Sequence, residues 1–294
     1  MEHEVIPMTA QAPHEVQSSA SAIPQQTTER HPSSFQLLSP LPISFSVKQD
    51  NFTLHRAAID RQPVILRVLK ESANARERQS FLGFSHFLSE LGPHESLPKL
   101  LGVVSARTPL MMAVEELEHR DLLGFLWRCR QDHTGQAAPC DMTERRIFTM
   151  GAQIASALEY LHSKNCIHGN VKARSVLVGQ DLSVKLWGLG PAYHRKSNAS
   201  SIEDLEEIET RKWQAPELLA RQPLQQSSDV YSIMKSCCKW RAKDRVSLAE
   251  LIRKLQSGER SANDQAVLRV SEPLDIEKYM QEAGYGESLN YAVL

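Results

Sequence analysis

The chain has 294 residues, 41% of them apolar and 23% charged, the mix of a folded globular protein. Its 34 basic and 35 acidic side chains leave a formal charge of −1, which excludes a global field drawing it to nucleic acid or to an anionic membrane. Cys129, Cys140, Cys166, Cys237 and Cys238 form no C-x-x-C pair, which argues for reduced thiols in a cytosolic compartment, and no apolar run reaches the roughly eighteen residues of a membrane span.

Residues 1–40 are rich in Ser, Pro, Gln and Thr (QAPHEVQSSASAIPQQTTERHPSS) and are expected to form a disordered tail, with no secretory signal in their polar start. From LPISFSVKQDNFTLHRAAI to QPVILRVLKE, β-branched and apolar runs between polar breaks predict consecutive antiparallel strands. Residues 75–91 set Phe81, Phe84, Leu88 and Leu91 at helical steps, and LMMAVEEL is a short buried strand. A second helix, from about Met142 to Lys164, turns Ile147, Met150, Ile154, Leu158 and Leu161 to one face, with Asp141 as its cap and Glu144 three residues on. RSVLV and LSVKLWG are strands about a turn at GQD. Ser247 and Glu250 open a last helix carrying Leu248, Leu251, Ile252 and Leu255, which Gly258 stops. Strands come first with one helix among them and helices follow, an α+β chain in two lobes.

Ordered motifs then carry a resemblance. HGNVKARSVLV stands where protein kinases of tyrosine-kinase type have H-R-D-L-A-A-R-N-V-L-V, LWGLGPA where they have the D-F-G segment, and KWQAPEL resembles W-x-A-P-E. VEELEHRDLLGFL resembles the hinge and the helix after it, and SDV with SCCKWRAKDRVSLAELIRKL completes the match. The tail GYGESLNYAVL and the segment FLWRCRQD resemble a membrane-anchored, kinase-like branch of that family. The resemblance implies an α+β, protein-kinase-like bilobal fold over residues 42–258. Its small β-rich N-lobe would span about 42–117 and its mainly helical, truncated C-lobe about 118–258, with a C-terminal tail over 259–294.

The family holds phosphates, binds metals and orients a hydroxyl nucleophile. By resemblance, the glycine-rich loop corresponds to about Ser44–Ala58, which contains no glycine and so cannot bring its backbone as close to phosphate oxygens. The nucleotide lysine becomes Arg67, a longer planar fork and not a conservative exchange. Ile65 replaces the alanine against adenine, with Val114, Leu117 and Leu177 at the other nucleotide positions. Phe84 falls where the lysine's glutamate partner belongs. Gly188 and Ser175 stand at the metal-ligand positions, where a hard divalent ion needs carboxylate oxygens. Asn170 stands at the catalytic base and cannot accept a proton at neutral pH. Arg174 keeps the arginine of the tyrosine-kinase loop. ATP and magnesium, the family's cofactors, are therefore not expected here, and metal ligands are none.

The structural positions are kept. The resemblance makes Glu217 and Arg245 a buried ion pair, Asp229 an acceptor for the catalytic-loop backbone, and His168 a packing residue beneath that loop. Two departures remain. SSDV runs straight into the segment before the last helix, so roughly fifty residues after Val230, including a central apolar helix, are missing by comparison with the family. The inner faces of the second and last helices are then expected to lack a partner. The activation segment HRKSNASSIEDLEEIETRKW has no tyrosine between His194 and Lys212, and the arginine that receives its phosphate is Gly169. Its acids, Glu203, Asp204, Glu206, Glu207 and Glu209, form a solvated acidic loop or a built-in phosphate mimic. The expected function is a catalytically impaired pseudokinase that binds protein signalling partners in the cytoplasm, with no nucleic acid. The alternatives are a residual tyrosine kinase and a truncated product, and membrane association belongs to longer relatives.

Overall fold

The computed structural model describes residues 29–41, 51–131, 142–197, 215–231 and 245–263. Five antiparallel strands, β1 (Gln36–Leu41), β2 (Phe52–Ile59), β3 (Gln62–Leu69), β4 (Leu100–Val104) and β5 (Met111–Glu115), form a sheet of order β1-β2-β3-β5-β4. Alternation decides its faces. Phe52, Leu54, Ile65 and Leu69 join the main core under helix α1 (Ala75–Leu91), while Ala57, Ile59, Val64 and Leu66 form a second cluster on the other face. Asp60 and Arg61, both at positive φ, make the tight turn from β2 to β3. An Asn74–Glu77 capping box starts α1, which buries Phe81, Phe84, Phe87, Leu88 and Leu91 and ends at Gly92 with φ +79°.

The last part of the expected tail is ordered, while residues 1–28 lie outside the described set. Residues 29–41 are ordered in this sheet: β1 pairs with β2, and Arg30 N–H donates to the Val103 carbonyl at the opposite edge (2.7 Å). Phe35 contributes apolar packing to that order. It caps the outer cluster, and Gly102 leaves room for its ring, 3.3 Å from where a Cβ would stand. Pro40 is tolerated because β1 is an edge strand. Residues 42–50, between β1 and β2, lie outside the described set.

Past the hinge, β6 (Arg120–Asp121) leads into α2 (Leu122–Gln131) and pairs with β7 (Val176–Val178), which pairs with β8 (Val184–Leu186). Helix α3 (Glu144–Ser163) is capped by the Thr143 hydroxyl, which accepts from Arg146 N–H, whereas Asp141 lies outside the described residues. Among the described residues, four further helices follow: α4 (Gly190–Lys196), α5 (Pro216–Leu219), α6 (Gln226–Tyr231) and α7 (Leu248–Ser261). The Tyr160 hydroxyl on α3 donates to the Leu91 carbonyl at the end of α1 (2.5 Å), tying the lobes together.

The helix faces expected to be left without a partner meet each other. On α7, Leu248, Leu251 and Leu255 are buried, and Gly151 of α3 stands 3.3 Å (as a Cβ) from Leu255. Gly258 does not stop α7. The helix runs on to Ser261, and a Cβ on Gly258 would lie 2.8 Å from the Phe148 ring, so this glycine admits an aromatic side chain at the crossing. Each leucine so buried contributes roughly 1.5–3 kcal/mol. Ile147 departs from its expected inward face and is 43% exposed.

Candidate functional site

The catalytic loop is held from below by one carboxylate. Asp229, 1% exposed on α6, accepts from His168 N–H (2.9 Å), Gly169 N–H (2.6 Å) and His162 Nε2 (2.8 Å). His168 has no exposed surface, and its two ring nitrogens are both used. Nε2 donates to the Trp187 carbonyl (2.8 Å), and Nδ1 accepts from Asn170 N–H (3.2 Å), which fixes the neutral tautomer. Burial holds its pKa below the ordinary histidine value. A second buried anchor lies nearby: Arg245 donates to both oxygens of Glu217, each at 2.6 Å, and Ser228 Oγ adds a third bond at 2.6 Å. Those bonds, led by that from Arg245, hold the Glu217 carboxyl down at about 2.

The chemical positions are occupied differently. Ser175 is fully buried, and its hydroxyl serves its own turn: the proton lies between the carbonyls of Asn170 (2.9 Å) and Lys172 (2.8 Å), while the oxygen accepts from Lys172 N–H (2.9 Å). All three of these bonds stay within residues 170–175. Gly188, at φ +89°, is buried and has no side chain to offer. Just before it, Trp187 is 2% exposed and fills the core with an indole whose Nε1–H has no hydrogen-bond partner among the described residues, while its backbone N–H donates to the Ser175 carbonyl (2.7 Å). Asn170 and Arg174 are partly buried in the loop, Arg174 within the single turn Ala173–Ser175. Among the described residues, no group of three or more His, Cys, Asp or Glu could hold a metal ion.

Arg67 sits on the inner face of β3, inside an aromatic cluster. Its guanidinium carbon lies 3.5 Å from the centroid of Phe52 and 5.9 Å from those of Phe81 and Phe84. The residue at the glutamate position thus meets Arg67 through its ring. Ile65 and Val114 are opposite each other across β3 and β5, and they and Leu117 are only 2%, 3% and 6% exposed with no ligand present. Leu177, the remaining position of that set, is partly exposed. The hinge is clamped to both sides by Lys185 Nζ on Glu115 (2.7 Å) and Arg56 Nε on Glu116 (2.6 Å).

Residues of α4 had gone unnoticed in the sequence. Tyr193 packs on Phe84 and Phe87, with ring centroids 5.5 and 5.7 Å away, and Arg195 Nη2 donates to the carbonyls of Ile167 (2.8 Å) and His168 (2.7 Å). The available signal was a pair of glycines: Gly83 in mid-helix and Gly169 in the loop. The acidic stretch 198–214, residues 232–244 with Cys237 and Cys238, Cys140, and the tail 264–294 lie outside the described residues. No described helix is long and apolar enough to cross a membrane.

Comparison with known proteins bears on the same elements. Residues 51–233 match the family model of protein tyrosine and serine/threonine kinases. The chain is 36% identical over 283 aligned residues to the tyrosine-protein kinase STYK1 of Homo sapiens, covering 79% of this chain and 66% of that protein. Its Mus musculus counterpart is 32% identical over 277, covering 78% and 65%. The GYGESLNYAVL and FLWRCRQD segments resemble that same protein, also called novel oncogene with kinase domain. The tyrosine-protein kinase Fer of Mus musculus is 30% identical over 173 residues, 59% of this chain and 20% of Fer. The chain thus spans just under two thirds of the length of the two STYK1 proteins.

Proposed function

The chain belongs to the protein kinase family, and within it we propose a pseudokinase: a kinase-like module that engages signalling proteins and does not transfer phosphate. The observation that carries this reading is the state of the two metal-ligand positions. Gly188 has no side chain, and the Ser175 hydroxyl is bonded within its own turn. Without a divalent ion the charge on a transferring phosphoryl group goes unneutralised, and these contributions to catalysis act as a unit. Arg67 among aromatic rings and the buried Ile65, Val114 and Leu117 support it further.

The test is a thermal-shift titration with ATP up to millimolar concentration, with and without magnesium, beside a labelled-phosphate transfer assay. No shift and no transfer are expected. Saturable stabilisation by Mg-ATP, with transfer abolished by Arg67→Ala, overturns the proposal in favour of residual tyrosine-kinase activity. The kinase names of the relatives and the kept positive charge at Arg67 speak for that second reading.

We place the kinase-like unit from about residue 36 to 258, with the C-lobe shortened after Val230. The alignment supports the shortening. A share of 79% of 294 residues is about 232 residues, so 283 aligned positions leave roughly fifty of the relative's residues with none opposite. In this reading α7 has moved into contact with α3 where the family's central helix would lie. Sequencing the transcript across Val230–Tyr231 tests it. An uninterrupted family-length segment there would refute the shortening.

A further inference from the structure

Two glycines far apart in sequence are notched by the same short helix. Gly83 lies inside α1, where alanine would ordinarily be the more stable residue. A Cβ on Gly83 would stand 2.1 Å from the Tyr193 hydroxyl oxygen and 3.1 Å from its Cζ, so the phenol occupies that notch. Its ring continues into the aromatic face of α1 at Phe84 and Phe87, and Lys196 Nζ lies 5.7 Å from the Phe87 centroid. On the catalytic loop, a Cβ on Gly169 would stand 2.7 Å from Arg195 Nη2, the atom that bonds the carbonyls of Ile167 and His168. Residues two apart on a helix project about 200° apart, so Tyr193 and Arg195 leave α4 on opposite sides.

We infer that α4 is a two-sided latch: Tyr193 seated against Gly83 and Arg195 seated against Gly169 hold α1 to the catalytic loop without nucleotide or a phosphorylated activation segment. The arginine has changed sides. The resemblance puts a loop arginine at position 169, reaching out to the activation segment. In this chain the guanidinium starts on the segment and reaches in to the loop, where two backbone carbonyls take it up. A protein partner therefore meets the two lobes in one fixed arrangement. The latch does not depend on whether nucleotide binds, so it stands or falls separately from the pseudokinase proposal.

A pair of substitutions in the full chain separates a filled notch from an empty one. On an open helix face, Gly83→Ala raises the melting temperature. Here it is expected to lower it, and to speed tryptic cleavage after Arg195 and Lys196 at least about tenfold, because cutting requires local release of α4. In a Tyr193→Ala background the notch is vacant, and the same Gly83→Ala is expected to raise the melting temperature. This reversal of sign survives even if Gly83→Ala alone does not fold, since the double variant then folds where the single one fails. A rise of equal size in both backgrounds overturns the latch.

Arg195→Ala tests the other side. Cleavage after Lys196 should rise about tenfold while far-UV circular dichroism is kept. Arg195→Lys should fall between, since an ammonium is a point donor without the fork. Cleavage unchanged in both variants would overturn the two-sided device. Gly169 is left alone, because φ +70° strains any side chain there and Leu224 also crowds it at 2.7 Å.

Discussion

Below the catalytic loop and above it, polar groups are placed in opposite ways. Below, Asp229, His162, His168, Glu217, Ser228 and Arg245 are buried and hydrogen-bonded, as a protein-kinase-like frame requires. Above, Gly188 has no side chain, the Ser175 hydroxyl is bonded within its own turn, and the Arg67 guanidinium lies among aromatic rings. On the pseudokinase proposal, a fold's internal polar network and its chemistry are separable, so that retained architecture is no argument for retained activity.

Removing one partner from the lower network should produce the largest effect. Arg245→Met leaves the Glu217 carboxylate buried without its guanidinium and is expected to cost about 3–5 kcal/mol, measured as a drop in urea midpoint. A loss below ~1 kcal/mol would break the contrast, because the pair would then count for no more than a surface bridge. Acid should do the same by titration. Glu217 has a folded-state pKa of about 2 against an ordinary 4.5, so its stabilisation is complete above pH 4.5 and is lost as pH falls towards 2. That contribution is about 3 kcal/mol at neutral pH, and the Arg245→Met variant should lose this part of the acid dependence.

Asp229→Asn comes next. One amide oxygen cannot replace two carboxylate oxygens facing three donors, and a loss of about 2–3 kcal/mol is expected, with faster exchange of the His168 and Gly169 amides. Above the loop the effects shrink. Arg67→Ala should cost about 1–2 kcal/mol, the size of a desolvated cation–π contact, and should leave the response to Mg-ATP unchanged. The smallest effect belongs to Ile147→Gln. With the side chain 43% exposed, the melting temperature should move by no more than ~0.5 kcal/mol implies, whereas an inward Ile147 would cost several times as much.

Helices α1 and α3 and strands β2, β3, β5, β7 and β8 were legible because each carries its own period of apolar residues and its own turn or cap. Strand β1 was hidden because Ser, Pro and Gln dominate its neighbourhood, and Phe35, Arg30 and Glu29 find their contacts on residues distant in the chain. Gly258 shows the same limit. A glycine near a helix end is a stop signal by local rules, yet here it makes room for Phe148 from a helix a hundred residues earlier. At the candidate site, Asn170, Ser175, Gly188 and Arg67 were legible as departures from the family's motifs. Where the Ser175 hydroxyl points, and which rings surround Arg67, needed the folded chain.

By itself the sequence determined the element types, the family frame and the replaced chemical groups, because these depend on residue identity and short-range spacing. Only the tertiary structure decided that α7 fills the face of α3, that β1 begins inside an apparently unstructured tail, and that Tyr193 and Arg195 enter the spaces beside Gly83 and Gly169. A glycine in sequence records only a missing side chain. What takes up the space is settled by close packing between elements that no local pattern connects.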